Sequence, residues 1–131
     1  MPTSALVAIA EYGGNYSVIR VLMDGYPQHT GYMLYTHYST YSLARRLVSY
    51  GDLRVVDKFF PNWGHLSSGH CQLDEPGVAE GTAFCSSLAV LWLLAQERKC
   101  DVLYVFVNDT WECSVSRGPF LPVATYLKEK A

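Results

Sequence analysis

The chain is short of the features that announce a function. Its four cysteines, Cys71, Cys85, Cys100 and Cys113, stand thirteen to fifteen residues apart with no C-x-x-C pair, which excludes the spacing of zinc ribbons and thioredoxin-like redox motifs. The N-terminus has no basic, apolar, then small-residue export signal, so a reduced cytoplasmic protein with buried thiols is expected. Secretion would permit disulfides, but a domain of this size does not need them. Charge is sparse, at 17% of residues with a formal net charge of −2, and the cations are scattered beyond short groups such as Arg45-Arg46 and the tail Lys128 and Lys130. No concentrated positive field is left to release counterions, so duplex nucleic acid is not an expected partner. The longest apolar stretch, 83–95, is interrupted by Ser86 and Ser87 and falls short of the ~20 residues that cross a bilayer, so no membrane partner is expected.

What is present is material for a core. Half of the 131 residues are apolar, enough for a single folded domain over 1–131 and too few residues for a second. Residues 6–12 and 16–23 are rich in β-branched and aromatic side chains and flank Gly13-Gly14-Asn15, which accept the positive φ of a tight turn and so predict a β-hairpin. Asp24-Gly25-Tyr26-Pro27 ends it, with Asp24 expected to cap backbone amides, Gly25 to take a positive φ and Pro27 to fix the turn.

Between 30 and 50, Leu34, Tyr38, Tyr41, Ala44 and Leu47 recur at three- and four-residue steps. That spacing predicts one long helix, or two short ones broken near Ser39-Thr40, with Gly51 as the stop. Residues 53–60 read as a short strand. Residues 61–81 collect Gly, Pro, Ser and His without a period and read as a long loop. The 82–98 segment predicts a helix that is apolar almost all round, with Thr82 as N-cap, and therefore the central buried helix. A second hairpin is predicted from 101–107 and 111–115 around Asn108-Asp109, then an amphipathic helix over 119–130 with Pro122 in its first turn. The resulting fold class is α+β: an antiparallel sheet of two hairpins, about four to five strands, with three to four helices packed mainly on one face.

Residues with chemistry fall in three groups. The loop residues His65, His70, Cys71, Asp74 and Glu75 match no closed zinc pattern, and no base is placed beside Cys71, so no metal, cofactor or catalytic set is assigned. Asp24, Gly25 and Tyr26 stand beside a helix start, an arrangement suited to an anionic ligand; Tyr38 could stack on a base, with Arg45 or Arg46 on its phosphates. Six tyrosines fall within residues 26–50. Steps of three drift by about 60° on a helix, so some must reach the surface, and Tyr32, Tyr35 and the loop residue Trp63 are candidate interface anchors.

The run Asp24-Gly25-Tyr26-Pro27, Gly31, Leu34, His37-Tyr38, Leu47 and Gly51-Asp52-Leu53 resembles a family of small bacteriophage and prophage proteins with a D-G-Y-P-x3-G-x2-L-x2-H-Y … L-x3-G-D-L pattern. Residues 101–106 and Trp111 are loosely similar to that family's closing hairpin, whereas Leu22-Met23 replaces its usual His-Trp. The resemblance implies a phage or prophage accessory protein in the cytoplasm of an infected bacterium. It is expected to act by binding, as an inhibitor of a host or defence protein or as a sponge for a signalling nucleotide, with homo-oligomerisation open. The alternative is a small phosphodiesterase-like enzyme acting on a nucleotide, in which His29 and His37 with Asp24 supply acid–base chemistry.

Overall fold

The computed structural model describes residues 3–60, 71–73 and 82–128. Strands β1 (Ala5–Ala10) and β2 (Tyr16–Val21) form the expected first hairpin, closed by a turn in which Gly13 and Gly14 take φ of 83° and 85°. A π-helical turn at Pro27–Gly31 leads into α1 (Tyr32–His37), and α2 (Tyr41–Val48) follows. The two helices are separate because Thr40 leaves helical geometry and caps α2, its Oγ1 accepting from the Leu43 N–H at 3.2 Å.

Next come β3 (Leu53–Val55), β4 (Gln72–Leu73), β5 (Ala83–Cys85) and α3 (Leu88–Glu97). The second hairpin, β6 (Val102–Val107) and β7 (Thr110–Val115), turns at Asn108 and Asp109, both in the left-handed region. Last are β8 (Leu121–Pro122) and α4 (Val123–Lys128).

The eight strands among the described residues belong to one sheet, in the order β4-β3-β2-β1-β6-β7-β8, with β5 also paired to β2. The sheet is mixed rather than antiparallel: β1 runs parallel to β6, and β2 parallel to β3. Each hairpin is written in its turn residues, whereas the joining of the two through β1 and β6 is a contact between distant segments that leaves no local mark in the sequence. The strand count exceeds the expected four to five because β4, β5 and β8 are too short to show alternation.

Alternation along the long strands sorts side chains to two faces. Ala5, Val7, Ile9, Ile19, Val21, Tyr104 and Phe106 pack under Leu34, Tyr38, Ala44, Leu47 and Val123, so α1, α2 and α4 share one face. Leu6, Ala8, Val18, Leu103 and Val105 pack against Leu91 and Ala95 of α3 on the other. Among the described residues, three α-helices thus lie on one face and a fourth covers the opposite one.

That arrangement corrects the reading of α3. It is not a central buried helix: Leu91 and Ala95 are its buried residues, while Leu93 stays 63% exposed and Phe84 of the preceding strand 75%. Its first turn also starts later than expected. Ser87 is the N-cap, accepting from the Val90 N–H at 3.2 Å, and Thr82 instead donates its hydroxyl to the Val48 carbonyl at 2.5 Å. The 53–60 strand shortens to Leu53–Val55, and the 119–130 helix yields its first residues to β8, placing Pro122 in an outer strand rather than a helical turn.

Buried polar groups pin the layers together. Tyr104 donates its hydroxyl to the Gly25 carbonyl at 2.6 Å, and the Trp111 indole N–H donates to the Tyr38 carbonyl at 2.8 Å. Asp52, buried, accepts from the Arg20 amide at 2.9 Å and faces Arg98 at 3.5 Å, tying β2 and the start of β3 to the end of α3.

Gly25 does not occupy the left-handed region; Asp24 does, at φ 56°. What Gly25 supplies is room, since a Cβ there would sit 2.8 Å from Ala5 Cβ and 2.9 Å from the Thr3 carbonyl oxygen. Gly25→Ala should therefore destabilise by about 1–3 kcal/mol, the usual cost of overpacking. Urea unfolding reads this as a lower midpoint at unchanged slope, and an unchanged midpoint would contradict the contact.

Candidate functional site

The D-G-Y-P element is built as a fastener. The Asp24 carbonyl accepts from the Thr30 hydroxyl at 2.6 Å, the Gly25 amide donates to Thr3 at 2.8 Å, and Pro27 opens the π-helical turn with its ring buried. His29 Nε2 lies 2.9 Å from the Val56 carbonyl. A carbonyl can only accept, so this ring nitrogen carries the proton and holds the turn against the stretch after β3.

Helix α1 is thereby gripped from beneath. Leu34 and Tyr38 are fully buried on its inner side, and the Tyr38 hydroxyl donates to the Asp57 carbonyl at 2.6 Å. Its outer side carries Tyr32 and Tyr35, 46% and 50% exposed, with Tyr26 also exposed at the preceding turn. Positions three apart are neighbours on a helix, so Tyr32 and Tyr35 make a paired aromatic surface on a fixed support.

The residues expected to form a nucleotide pocket are distributed differently. Tyr38 is sealed in the core, where burial first and the neighbouring Cys71 next push its hydroxyl far above the ordinary tyrosine range. Arg46 lies over the Phe60 ring at 4.3 Å, and Phe60 meets Tyr38 edge-on at 5.2 Å. Arg45 is held by Glu11 at 2.5 Å, with the Tyr41 hydroxyl donating to the same carboxylate at 2.7 Å. Arg45 also lines a cleft of about 250 Å³ with Val48, Thr82 and Phe84. Trp63, His65, His70, Asp74 and Glu75 lie outside the described residues.

All four cysteines are free thiols. Burial raises each: Cys100 to about 11, Cys113 to about 12, Cys71 and Cys85 upward by the same cause. They are protonated at neutral pH and are poor nucleophiles in this state.

A larger cleft, about 460 Å³, opens where α3 ends, between Trp92, Gln96, Lys99 and Asp101 on one side and Ser116 and Arg117 on the other, with Cys100 also lining it. None of these residues was singled out as a site in the sequence. What sets three of them apart is conformational and shows only in the structure. Lys99, Ser116 and Arg117 have φ of 56°, 51° and 63°, and side-chain-bearing residues in that region cost about 1 kcal/mol or more each.

No protein-family model matches the chain, and neither a curated protein nor a solved structure matches it significantly. The functional reading therefore rests on the residues and their placement.

The Glu11 clip gives a pH test. Burial would raise the Glu11 pKa, but the Arg45 and Tyr41 hydrogen bonds outweigh it and hold the carboxyl below its ordinary value. A depressed folded-state pKa adds stability above the unfolded-chain value of about 4.3 and loses it as pH falls through the folded value. Glu11→Gln should melt below the parent at pH 7, and the gap should close towards pH 3. Paired thermal melts check this; a gap that stays constant would show that the charge is not what matters.

Proposed function

We propose that this chain is a phage or prophage accessory protein that acts by binding, occupying a bacterial host or defence protein through the outer surface of α1. The observation that carries the reading is the pairing of exposed Tyr32 and Tyr35 with an inner side, Leu34 and Tyr38, that is completely buried. Tyrosine supplies flat apolar area and a polar tip for few rotatable bonds. On a support already fixed by Tyr104, Trp111 and the Asp24–Thr30 bond, little further ordering is needed when a partner closes over it.

The test compares the parent with the double variant Tyr32→Ala, Tyr35→Ala as bait in lysate of a bacterial host. Each truncation should cost about 2 kcal/mol of binding if it is an anchor, so the double variant should lose a specific partner that the parent retains, while melting within a degree or two of it. Equal recovery by both proteins, or no specific partner for the parent, removes the reading.

A further inference from the structure

We infer that the cleft at the C-terminal end of α3 is a binding site for a ribonucleoside phosphate, separate from the tyrosine surface. The cleft is about 460 Å³, within the range of small-ligand sites of about 300–1,000 Å³. Its chemistry is divided as such a ligand needs. Trp92 lines it, its ring packed against Phe120 with ring centres 5.6 Å apart, and an indole is a side chain on which a nucleobase can stack. Lys99 and Arg117 bring two cations against one lining carboxylate, Asp101, in a chain whose net charge is negative. Arg117 is pre-positioned: with the Gln96 amide in its bonding orientation, the amide oxygen accepts from Arg117 Nη1 at 2.9 Å and from Nη2. A guanidinium has five N–H groups, so others remain for phosphate oxygens. Asp101 accepts hydrogen bonds, which is what the ribose hydroxyls can donate.

A second, independent observation comes from the backbone. Helix α3 ends in a Schellman motif, with the Lys99 amide donating to Gln96 and the Cys100 amide to Ala95. Lys99 occupies the left-handed position that glycine normally fills. The turn 115–118 is closed by the Gly118 amide donating to the Val115 carbonyl at 2.9 Å, with Ser116 and Arg117 both at positive φ. That is the type I′ geometry in which Asn-Gly is favoured. Asn108-Asp109 makes the other such turn with residue types that tolerate it. At the cleft, three strained positions carry Lys, Ser and Arg instead, and all three side chains line the same space. Strained residues cluster at ligand clamps and switch regions, and these three share one cleft.

The experiment exploits the strain. Glycine at these positions relieves the backbone and deletes the cations, so the double variant Lys99→Gly, Arg117→Gly should fold at least as stably as the parent yet bind at least tenfold more weakly. Thermal melts and calorimetric titration of the full chain would use AMP, GMP, CMP and UMP, with adenosine and inorganic phosphate as partial ligands. At least one monophosphate should raise the parent melting temperature by about 3 °C or more at saturating concentration, beyond either partial ligand. No shift with any monophosphate overturns the proposal. So does equal binding by the double variant, and a shift matched by phosphate alone leaves only an anion site. The Tyr32→Ala, Tyr35→Ala variant should bind nucleotide as the parent does, so failure here and failure of the α1 surface are read separately.

Discussion

Burial of β1 on both faces is the constraint from which the rest of the structure follows. Ala5 to Ile9 are each 0–1% exposed, which no strand of a one-sided antiparallel sheet could be. A strand in that position needs a partner on each edge and a layer on each face. The hairpin supplies β2 on one edge, and the parallel pairing with β6 supplies the other. The faces are then dealt out by alternation: α1, α2 and α4 over the odd-numbered residues of β1, α3 over the even ones. Among the described residues the smaller layer has one helix, which can turn only one stripe to the sheet. Hence Leu93 stays in solvent although the helix is apolar almost all round.

The same constraint explains the two short motifs that stand out in the sequence. The chain leaving β2 must cross the sheet surface close to the start of β1, and the Gly25 backbone lies against Ala5 with no space for a side chain. Pro27 then starts the helical layer and Thr30 locks it back to Asp24. In Gly51-Asp52-Leu53, Gly51 takes φ 82° to end the layer, Asp52 binds the Arg20 amide and faces Arg98, and Leu53 pairs with Val21 beside it. The motifs mark where one layer begins and where it returns to the sheet. Their polar members are consumed in that work: the Asp24 and Gly25 carbonyls, the Asp52 carboxylate and the Tyr38 hydroxyl all have partners within the fold.

Much of this was legible beforehand, and the limits have physical causes. Both hairpins and the Gly51 stop could be read, and the break at Ser39-Thr40 was one of two alternatives, because turns, caps and periodicity are local properties. The parallel β1–β6 pairing could not, because nothing within either hairpin specifies what its outer edge meets. Nor could the start of α3 be placed, since Thr82 and Ser87 are both good caps and tertiary contact with Val48 decides between them. For the candidate site, the drift of the tyrosine spacing correctly implied that not all could be buried, and Tyr32 and Tyr35 are exposed. Periodicity alone did not assign Tyr38 to the core. Its place follows from Leu34, one turn before it on the inner side, and from Trp111, which comes from the far end of the chain.

The cleft beside α3 was invisible for a different reason. Sequence reading treats glycine and asparagine as the signs of a positive φ, so a turn made by Ser116-Arg117, or a helix stop made by Lys99, leaves no mark. The fold can hold these conformations because their surroundings are overdetermined. Ser116 donates its amide to the Asp101 backbone carbonyl at 2.8 Å and Ser114 its hydroxyl to the Gly118 carbonyl at 2.6 Å, while Val102 to Phe106 are all buried. A cost of about 1 kcal/mol at each strained residue is small against a strand anchored on both faces, and it is borne at the end of α3, beyond that helix's buried positions Leu91 and Ala95. Among the described residues, the cleft thus lies past the buried part of α3, where a strained backbone costs the core little.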